Sequence, residues 1–274
     1  MSLPLSTVTQ FLKELAPLEL AESWDNVGLI LGDCESPVQS IMTCLTLTPD
    51  VAEEAIQKNA NLIVSHHPIL FRPVQKLTSH TAEGRMVLKL IQSGIAVYSP
   101  HTAYDSAKQG INQQLAEGLD LQEIRPLRPS ALPEFSTVGA GRRGHLSTPV
   151  PLHQFVDQVR TFLKIDTLPV VGERNRIISS VAVACGAAGE FLTDALSHKC
   201  DAFLTGETRF HTCLDAREKE IALLLPGHYA TERPGIEHLA TLLKQQFPQL
   251  NIWSSSVERD PLSYGQQATP EGTP

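Results

Sequence analysis

Asn61-Leu-Ile-Val-Ser-His-His-Pro68 is the stretch on which the fold turns. Its apolar run, residues 61–65, reads as a short buried strand. Pro68, with no N–H and a fixed φ, stops that strand from continuing. His66 and His67 therefore stand just past a strand's carboxyl end, where open α/β sheets bind their ligands. Imidazole is a common ligand for transition metals. In a straight strand the two rings would point to opposite faces and could not serve one centre. At a strand end turning into Pro68 that restriction relaxes, and each ring could address a different metal. Taken alone, adjacent histidines are more often a surface or hydrogen-bonded pair, so the meaning of these two rests on their company.

Outward from this strand the pattern alternates between strand and helix. Residues 41–47 read as a strand. Thr48-Pro49-Asp50 follows as an N-cap, a proline at the first helical position and an acid in the first turn, opening a helix through Ile56. After the histidines, residues 83–92 read as a helix and 94–98 as a strand. Upstream, Ser6 is placed to cap a helix carrying Val8, Phe11, Leu12 and Leu15 on one face. The second half repeats the pattern, with strands over 179–185, 201–205 and 221–225, and helices over about 191–195, 209–217 and 231–244. A last short strand lies near Asn251. This alternation predicts an α/β protein, with mostly parallel sheets and helices on their faces.

Pro126, Pro129 and Pro133 mark the best candidate linker. The expected organisation is an N-terminal lobe over 1–125, a Pro-rich linker over 126–134 and a C-terminal lobe over 135–258. The polar stretch 259–274, rich in Gly, Pro and Thr towards its end, is expected to be a flexible tail. The net charge of −8 argues against a generally basic, nucleic-acid-coating surface. Five cysteines with no C-x-x-C spacing read as reduced thiols and point to the cytoplasm. No basic-then-apolar leader and no window near 18 uninterrupted apolar residues is present, so neither secretion nor a membrane span is expected.

The chemistry gathers at strand ends. Tyr98-Ser-Pro-His101-Thr-Ala-Tyr-Asp105 and Leu225-Pro-Gly-His228-Tyr-Ala-Thr-Glu232 each give a strand, a turn and then His-x-Ala-x-acid, at equivalent points of the two halves. That placement favours an internal duplication aiming two sites at one cleft. If the segments are helical, positions i and i+4 share a face; in a tight turn the side chains could still converge. Histidine with carboxylate suits Zn, Fe, Mn or Ni, with no thiolate to select otherwise. A metal pair roughly 3.5–4 Å apart can acidify a water and stabilise an oxyanion. Asp25 and Asn26 read best as loop-ordering caps. Gly139-Ala-Gly-Arg142-Arg143-Gly-His145 reads either as a glycine-punctuated loop presenting two guanidiniums to phosphate or as a solvated hairpin turn.

Trp24-Asp-Asn-Val-Gly-Leu29, Ser65-His-His-Pro68, His101-Thr-x-x-Asp105 with Gly110-Ile-Asn112, and Gly227-His-Tyr-Ala-Thr-Glu232 resemble the Nif-three-like family. Its members are commonly described as GTP cyclohydrolase 1 type 2 homologues. The resemblance runs from residue 22 to about 240 and implies two related α/β/α lobes in a ring-shaped homohexamer. It also implies a dinuclear metal centre in the cleft between the lobes, with two divalent ions per chain. By motif matching, the ligands fall on His66, His67, Asp105, His228 and Glu232, with His101 beside them. Some members carry a small domain inserted between the lobes, and this chain resembles the short form. Thr205-Gly-Glu207-Thr-Arg-Phe-His211 also looks like a family segment, although many relatives have Asp in place of Glu207. Glu207 and His211 are candidates to line the site, with a plain polar strand end as the alternative.

The leading function is a metal-dependent hydrolase in which His101 or His211 shuttles protons. The resemblance implies GTP as substrate, attacked at the guanine imidazole ring with release of formate. A phosphoesterase would use the same ions and the Arg142–Arg143 segment. The alternative class is a metal-handling or protein-interaction ring without catalysis. Nucleic acid inside the ring is disfavoured by the acidic total.

Overall fold

The computed structural model describes residues 2–263. Its frame is two larger sheets. In the first, Ser40–Cys44, Leu62–Ser65 and Ala96–Ser99 are parallel neighbours. Asn251–Ser254 adds in parallel beyond Ser40–Cys44, and Gly28–Leu31 closes the other edge antiparallel. In the second, Ile177–Ala184, Ala202–Thr205 and Ala222–Leu224 form a matching parallel trio. Gln122–Pro129 and Gly139–Pro151 extend it antiparallel on one side, and Val170–Val171 does so on the other. Leu3–Pro4 and Pro37–Val38 form a small separate ribbon.

The period-2 geometry of these strands sorts their apolar side chains into three cores. Ile41, Leu62, Val64 and Tyr98 from the first sheet share one core with Val181, Val183, Leu204 and Leu224 from the second. Met42, Ile63 and Val97 point the other way, beneath helices Pro49–Gln57 and Ala82–Gln92. Ala182, Phe203 and Leu223 lie beneath helices Leu192–Ser197 and Phe210–Glu218. Between the sheets sit Leu5–Leu15, Ile111–Gly118, Leu152–Leu163 and the long His228–Gln246, which insert Leu12, Leu115, Phe155 and Leu239 into the shared core. The protein is thus layered helix, sheet, helix, sheet, helix. The α/β class and the helix-covered parallel sheets are as expected, and the two lobes share their central helix layer.

Two lobe boundaries differ from the expectation. Pro126 and Pro129 lie in an edge strand of the second sheet, opposite Arg142 and Gly139, and not in a linker. A proline is tolerated there because an edge strand needs only half its donors. Only 130–138 remains as a connection. Asn251–Ser254, expected within the C-terminal lobe, pairs with Ser40–Cys44 of the first sheet. The chain therefore crosses back along His228–Gln246. Two buried carboxylates fasten the returning segment. Glu54 accepts hydrogen bonds from Ser255 and Ser256, and Glu258 accepts the Leu45 and Thr46 N–H groups and pairs with Arg233. Of the expected flexible tail, 259–263 lies among the described residues and follows this anchored segment, and 264–274 lies outside them.

Smaller differences follow from local chemistry. The first helix begins one residue before Ser6, with Pro4 at its cap and no side-chain bond. Thr48 does sit at the cap of Pro49–Gln57, but its hydroxyl goes to the Asp50 carboxylate. The helices Ile111–Gly118 and Leu152–Leu163 were not anticipated, although both bury an i, i+4 apolar face. No helix among the described residues is long and apolar enough to cross a membrane. All five cysteines are free thiols.

Candidate metal centre

The carboxyl ends of both parallel trios converge on one place. In the first sheet the second strand ends in Ser65-His66-His67 and in the other it ends in Thr205-Gly206-Glu207. The third strands lead, by a turn, into the helices beginning at His101 and His228. Both His-x3-acid segments are helical, so His101 with Asp105 and His228 with Glu232 share helix faces. His101 sits at φ +25, a conformation sparsely used by residues with a side chain.

Backbone bonds carry the second strand of the first sheet past its end. His66 N donates to Cys44 O at 3.0 Å and His67 N to Leu45 O at 2.9 Å. Ser99 Oγ donates to His66 O and Ser65 Oγ to His67 O, which fixes the turn before Pro68. The two rings then lie 5.3 Å apart between centroids, tilted by 52°.

Each exposed-side imidazole is held at one nitrogen, leaving the other for the centre. Thr46 Oγ1 lies 2.7 Å from His67 Nδ1, Asp25 Oδ1 lies 2.7 Å from His101 Nδ1, and Glu207 Oε1 lies 2.9 Å from His228 Nδ1. Such partners fix the tautomer and aim of metal-binding histidines. On the inner side, Glu232 Oε2 is 2.9 Å from His228 Nε2 and 3.1 Å from His67 Nε2. His67 and His228 Nε2 are 3.3 Å apart. Asp105 Oδ1 stands 3.5 Å from His66 Nε2.

These donors form three overlapping groups, each with ligand atoms within 4.8 Å of one another: His66 with His67 and His101, His67 with His228 and Glu232, and His66 with Asp105 and Glu232. His66, His67 and Glu232 each belong to two groups, an arrangement that suits a pair of ions sharing donors. The sharpest test of fit is His66. Its side chain is wholly buried, yet neither ring nitrogen has a hydrogen-bond partner. Orphaned polar atoms in a buried place are costly and call for a ligand. The donor set is nitrogen and oxygen, which fits divalent first-row metals.

The electrostatics agree. Burial pushes the His66 pKa well below its ordinary value, so the ring is neutral with a free lone pair. Burial acts to raise the Glu232 pKa, but hydrogen bonds from His228 and His67 outweigh it and hold the carboxyl well below the usual range. The hydrogen bond to Glu232, with Glu207 beyond it, raises the His228 pKa to about 9. Asp105 is pushed up by burial and by the charge of Glu232. Two carboxylates and four imidazoles thus crowd together with protons where cations would go.

The other anticipated residues fare differently. Glu207 does reach the site, as the orienting partner of His228. His211 lies in the first turn of Phe210–Glu218 beside Phe210, and no hydrogen bond joins it to the centre among the described residues. Arg142 is neither a phosphate-presenting loop residue nor a solvated turn. It is 2% exposed within the strand Gly139–Pro151, and its guanidinium donates to Gln113 Oε1 and to the carbonyls of Gly139, Gly141, Ser106 and Ala107. Arg143, next along the strand, projects to the other face, half-buried near Cys200. Glycines suggested a loop here, whereas the strand uses them for close approach: a Cβ at Gly139 would stand 2.3 Å from Arg128 O.

Thr46, which holds His67, and three further residues have no site role in the sequence. Asp25, read as a loop cap, does accept the N–H groups of Asn26 and Thr102, but it also orients His101. Cys185 places its thiol 3.2 Å from Asp105 Oδ1. Gly186, at φ +64, leaves room for Glu232: a Cβ there would stand 2.2 Å from Oε1. A glycine directly after an apolar strand was the available signal for the last.

Fold and site together define a two-sheet α/β protein with a histidine–carboxylate cluster suited to binding metal. The chain belongs to the DUF34/NIF3 family (NGG1p interacting factor 3), whose model matches residues 3–261. It is 37% identical over 254 residues to a GTP cyclohydrolase 1 type 2 homolog of Clostridium acetobutylicum, covering 92% of this chain and 94% of that one. It is 30% identical to mouse NIF3-like protein 1, covering 94% and 92%. Among solved structures, Staphylococcus aureus protein SA1388 superposes with a TM-score of 0.86 at 27% identity, over 96% of this chain and 99% of that one. A Bacillus cereus protein related to NIF3 has the same fold, with a TM-score of 0.88 at 22% identity, over 96% and 99%.

Proposed function

We propose that the protein is a dinuclear metal-dependent hydrolase acting on a C–N bond of a purine-like ring. The observation that carries this is the overlap of three donor groups, two of which share the wholly buried His66 with its unpartnered ring nitrogens. His66, His67, Asp105, His228 and Glu232 would hold two divalent ions. Such ions supply Lewis acidity that brings a bound water's pKa towards neutrality and stabilises an oxyanion. His101, with Nδ1 fixed by Asp25, keeps Nε2 free to take a proton from the attacking water and return it to the leaving nitrogen. Glu207 and Thr46 hold the His228 and His67 rings in place through their Nδ1 atoms.

The clostridial relative's name supports GTP as the substrate and so guanine as the ring; hydrolytic loss of the carbon between its imidazole nitrogens would release formate. In this reading the chain works as a homohexameric ring, and light scattering tests it by a mass six times that of the 30.0 kDa chain. The activity is tested with protein loaded with Mn, Fe or Zn, measuring formate from GTP and phosphate from a phosphoester panel. Release of neither, with two ions per chain verified by elemental analysis, would leave a metal-binding protein without this catalysis.

A further inference from the structure

Beside the metal centre lies a cavity of about 180 Å³, into which His101, Asp105, His228 and Glu232 face. At its mouth stands Trp24, 58% exposed. Its ring is 5.9 Å from Phe71 and 6.1 Å from His101, both in edge-to-face contact. Phe71 is itself 45% exposed. An indole left in water forgoes a large apolar burial. Here it is braced by Phe71 and by the His101 ring of the centre itself, so it is held in a fixed orientation with much of its surface uncovered.

The charge of this cavity is one-sided. Among the described residues no lysine or arginine lines it, whereas Glu22, Asp105, Glu190 and Glu232 do. Two divalent ions at the centre would just cancel those four carboxylates. Arg128, which stacks on the Phe191 ring beside Glu22 and Glu190, is paired with Asp194, so no net positive charge is then left over to attract a triphosphate. Glu22 and Glu190 are engaged through their backbones, by Thr102 and Thr193, and neither carboxylate accepts a hydrogen bond among the described residues. A free carboxylate takes two adjacent N–H donors side by side. The cavity is also smaller than the ~300–1,000 Å³ of sites that enclose a drug-sized ligand. It has room for a ring, with any substituent left outside.

We propose that this cavity takes a flat, uncharged heterocycle with an N–H-bearing edge, stacked on Trp24 and read by Glu22 or Glu190, and that it disfavours the phosphorylated forms of that ring. The proposal deepens the hydrolase reading and rests on it only in placing the ring beside the metal centre.

Trp24 and Trp253 are the only tryptophans, so Trp253→Phe leaves Trp24 as the sole indole emitter. Zinc-loaded Trp253→Phe protein is titrated with guanosine, GTP and inorganic phosphate. Saturable quenching by guanosine, at least tenfold weaker binding of GTP and no competition by phosphate are expected. In the otherwise native chain, Trp24→Leu should weaken guanosine roughly ten- to hundredfold by calorimetry, with zinc content unchanged. Glu190→Lys, at the exposed rim, should narrow the gap between GTP and guanosine to under about threefold. GTP binding tighter than guanosine overturns the proposal, as do phosphate competition, absence of saturable guanosine binding, an indifferent Trp24→Leu variant or an unchanged gap in Glu190→Lys. Guanosine binding without formate release refutes the hydrolase reading alone. Formate release with GTP preferred refutes the proposal alone.

Discussion

Replacing Arg142 with methionine separates a structural guanidinium from a substrate-binding one. All five of its N–H donors are used: one on Gln113 and four on backbone carbonyls from two chain segments. Hydrogen bonds from a charged donor contribute about 1.5–3 kcal/mol each when deleted singly. Their sum overstates the loss, because burying the guanidinium is itself unfavourable; burial lowers its pKa to about 10, and it remains charged at neutral pH. Methionine also recovers some apolar contact. What remains is the orphaning of buried carbonyls, and breaking a buried charged network of this kind costs about 3–5 kcal/mol. For a domain of this size that is a fall of roughly 6–20 °C in Tm, from about 2–4 °C per kcal/mol. Urea denaturation of the metal-free protein measures it, with zinc stoichiometry and GTP affinity determined on the folded variant. A loss below about 1 kcal/mol would refute the structural assignment. Intact stability with weakened binding of phosphorylated ligands would restore the phosphate-loop reading.

Three further perturbations probe the centre and its supports. Gly186→Ala sets a methyl against the Glu232 carboxylate in a left-handed backbone, and elemental analysis should find fewer ions per chain while the far-UV spectrum is kept. Metal affinity should rise with pH through neutrality towards about 9, because His228 would bind metal in its neutral form and must first lose the proton stabilised by Glu232 and Glu207. Calorimetry in buffers of different ionisation enthalpy should register proton release at pH 7, and none would contradict the assignment. Glu54 has its pKa pushed up by burial but more strongly down by hydrogen bonds from Lys58, Ser255 and Ser256, to about 2. Its contribution is present above its ordinary 4.5 and lost as pH falls towards 2, so an acid titration followed by Trp253 fluorescence should lose steepness in Glu54→Gln.

Much of the site was legible because its signals are local. Pro68 ends a strand wherever the strand lies, and a four-residue step on a helix puts His228 over Glu232 whatever surrounds them. The parts that were not legible depend on partners distant in sequence. Asp25 reads as a loop cap until His101, far along the chain, is brought to its carboxylate. Arg142 and Arg143 read as exposed because glycines flank them, and nothing nearby announces that Ser106 and Ala107 will supply carbonyls. Lobe boundaries failed for the same reason. A proline at 126 signals a missing donor, and only the sheet decides whether that donor was needed.

The returning segment explains why two sheets and one site are inseparable here. Glu258 holds the Thr46 N–H, Thr46 holds His67, and Arg233, which also pairs with Glu258, adjoins Glu232 on the helix. The same carboxylate therefore steadies a candidate ligand from the first sheet and the helix that carries candidate ligands beside the second. The helix itself, His228–Gln246, starts at the centre and runs between the sheets into their common core through Ile236, Leu239 and Leu243. A cluster of one buried and one half-buried carboxylate with four imidazoles is unfavourable to assemble without cations, and its geometry survives only if the elements that carry it cannot drift apart. A core shared between lobes meets that requirement better than a hinge would.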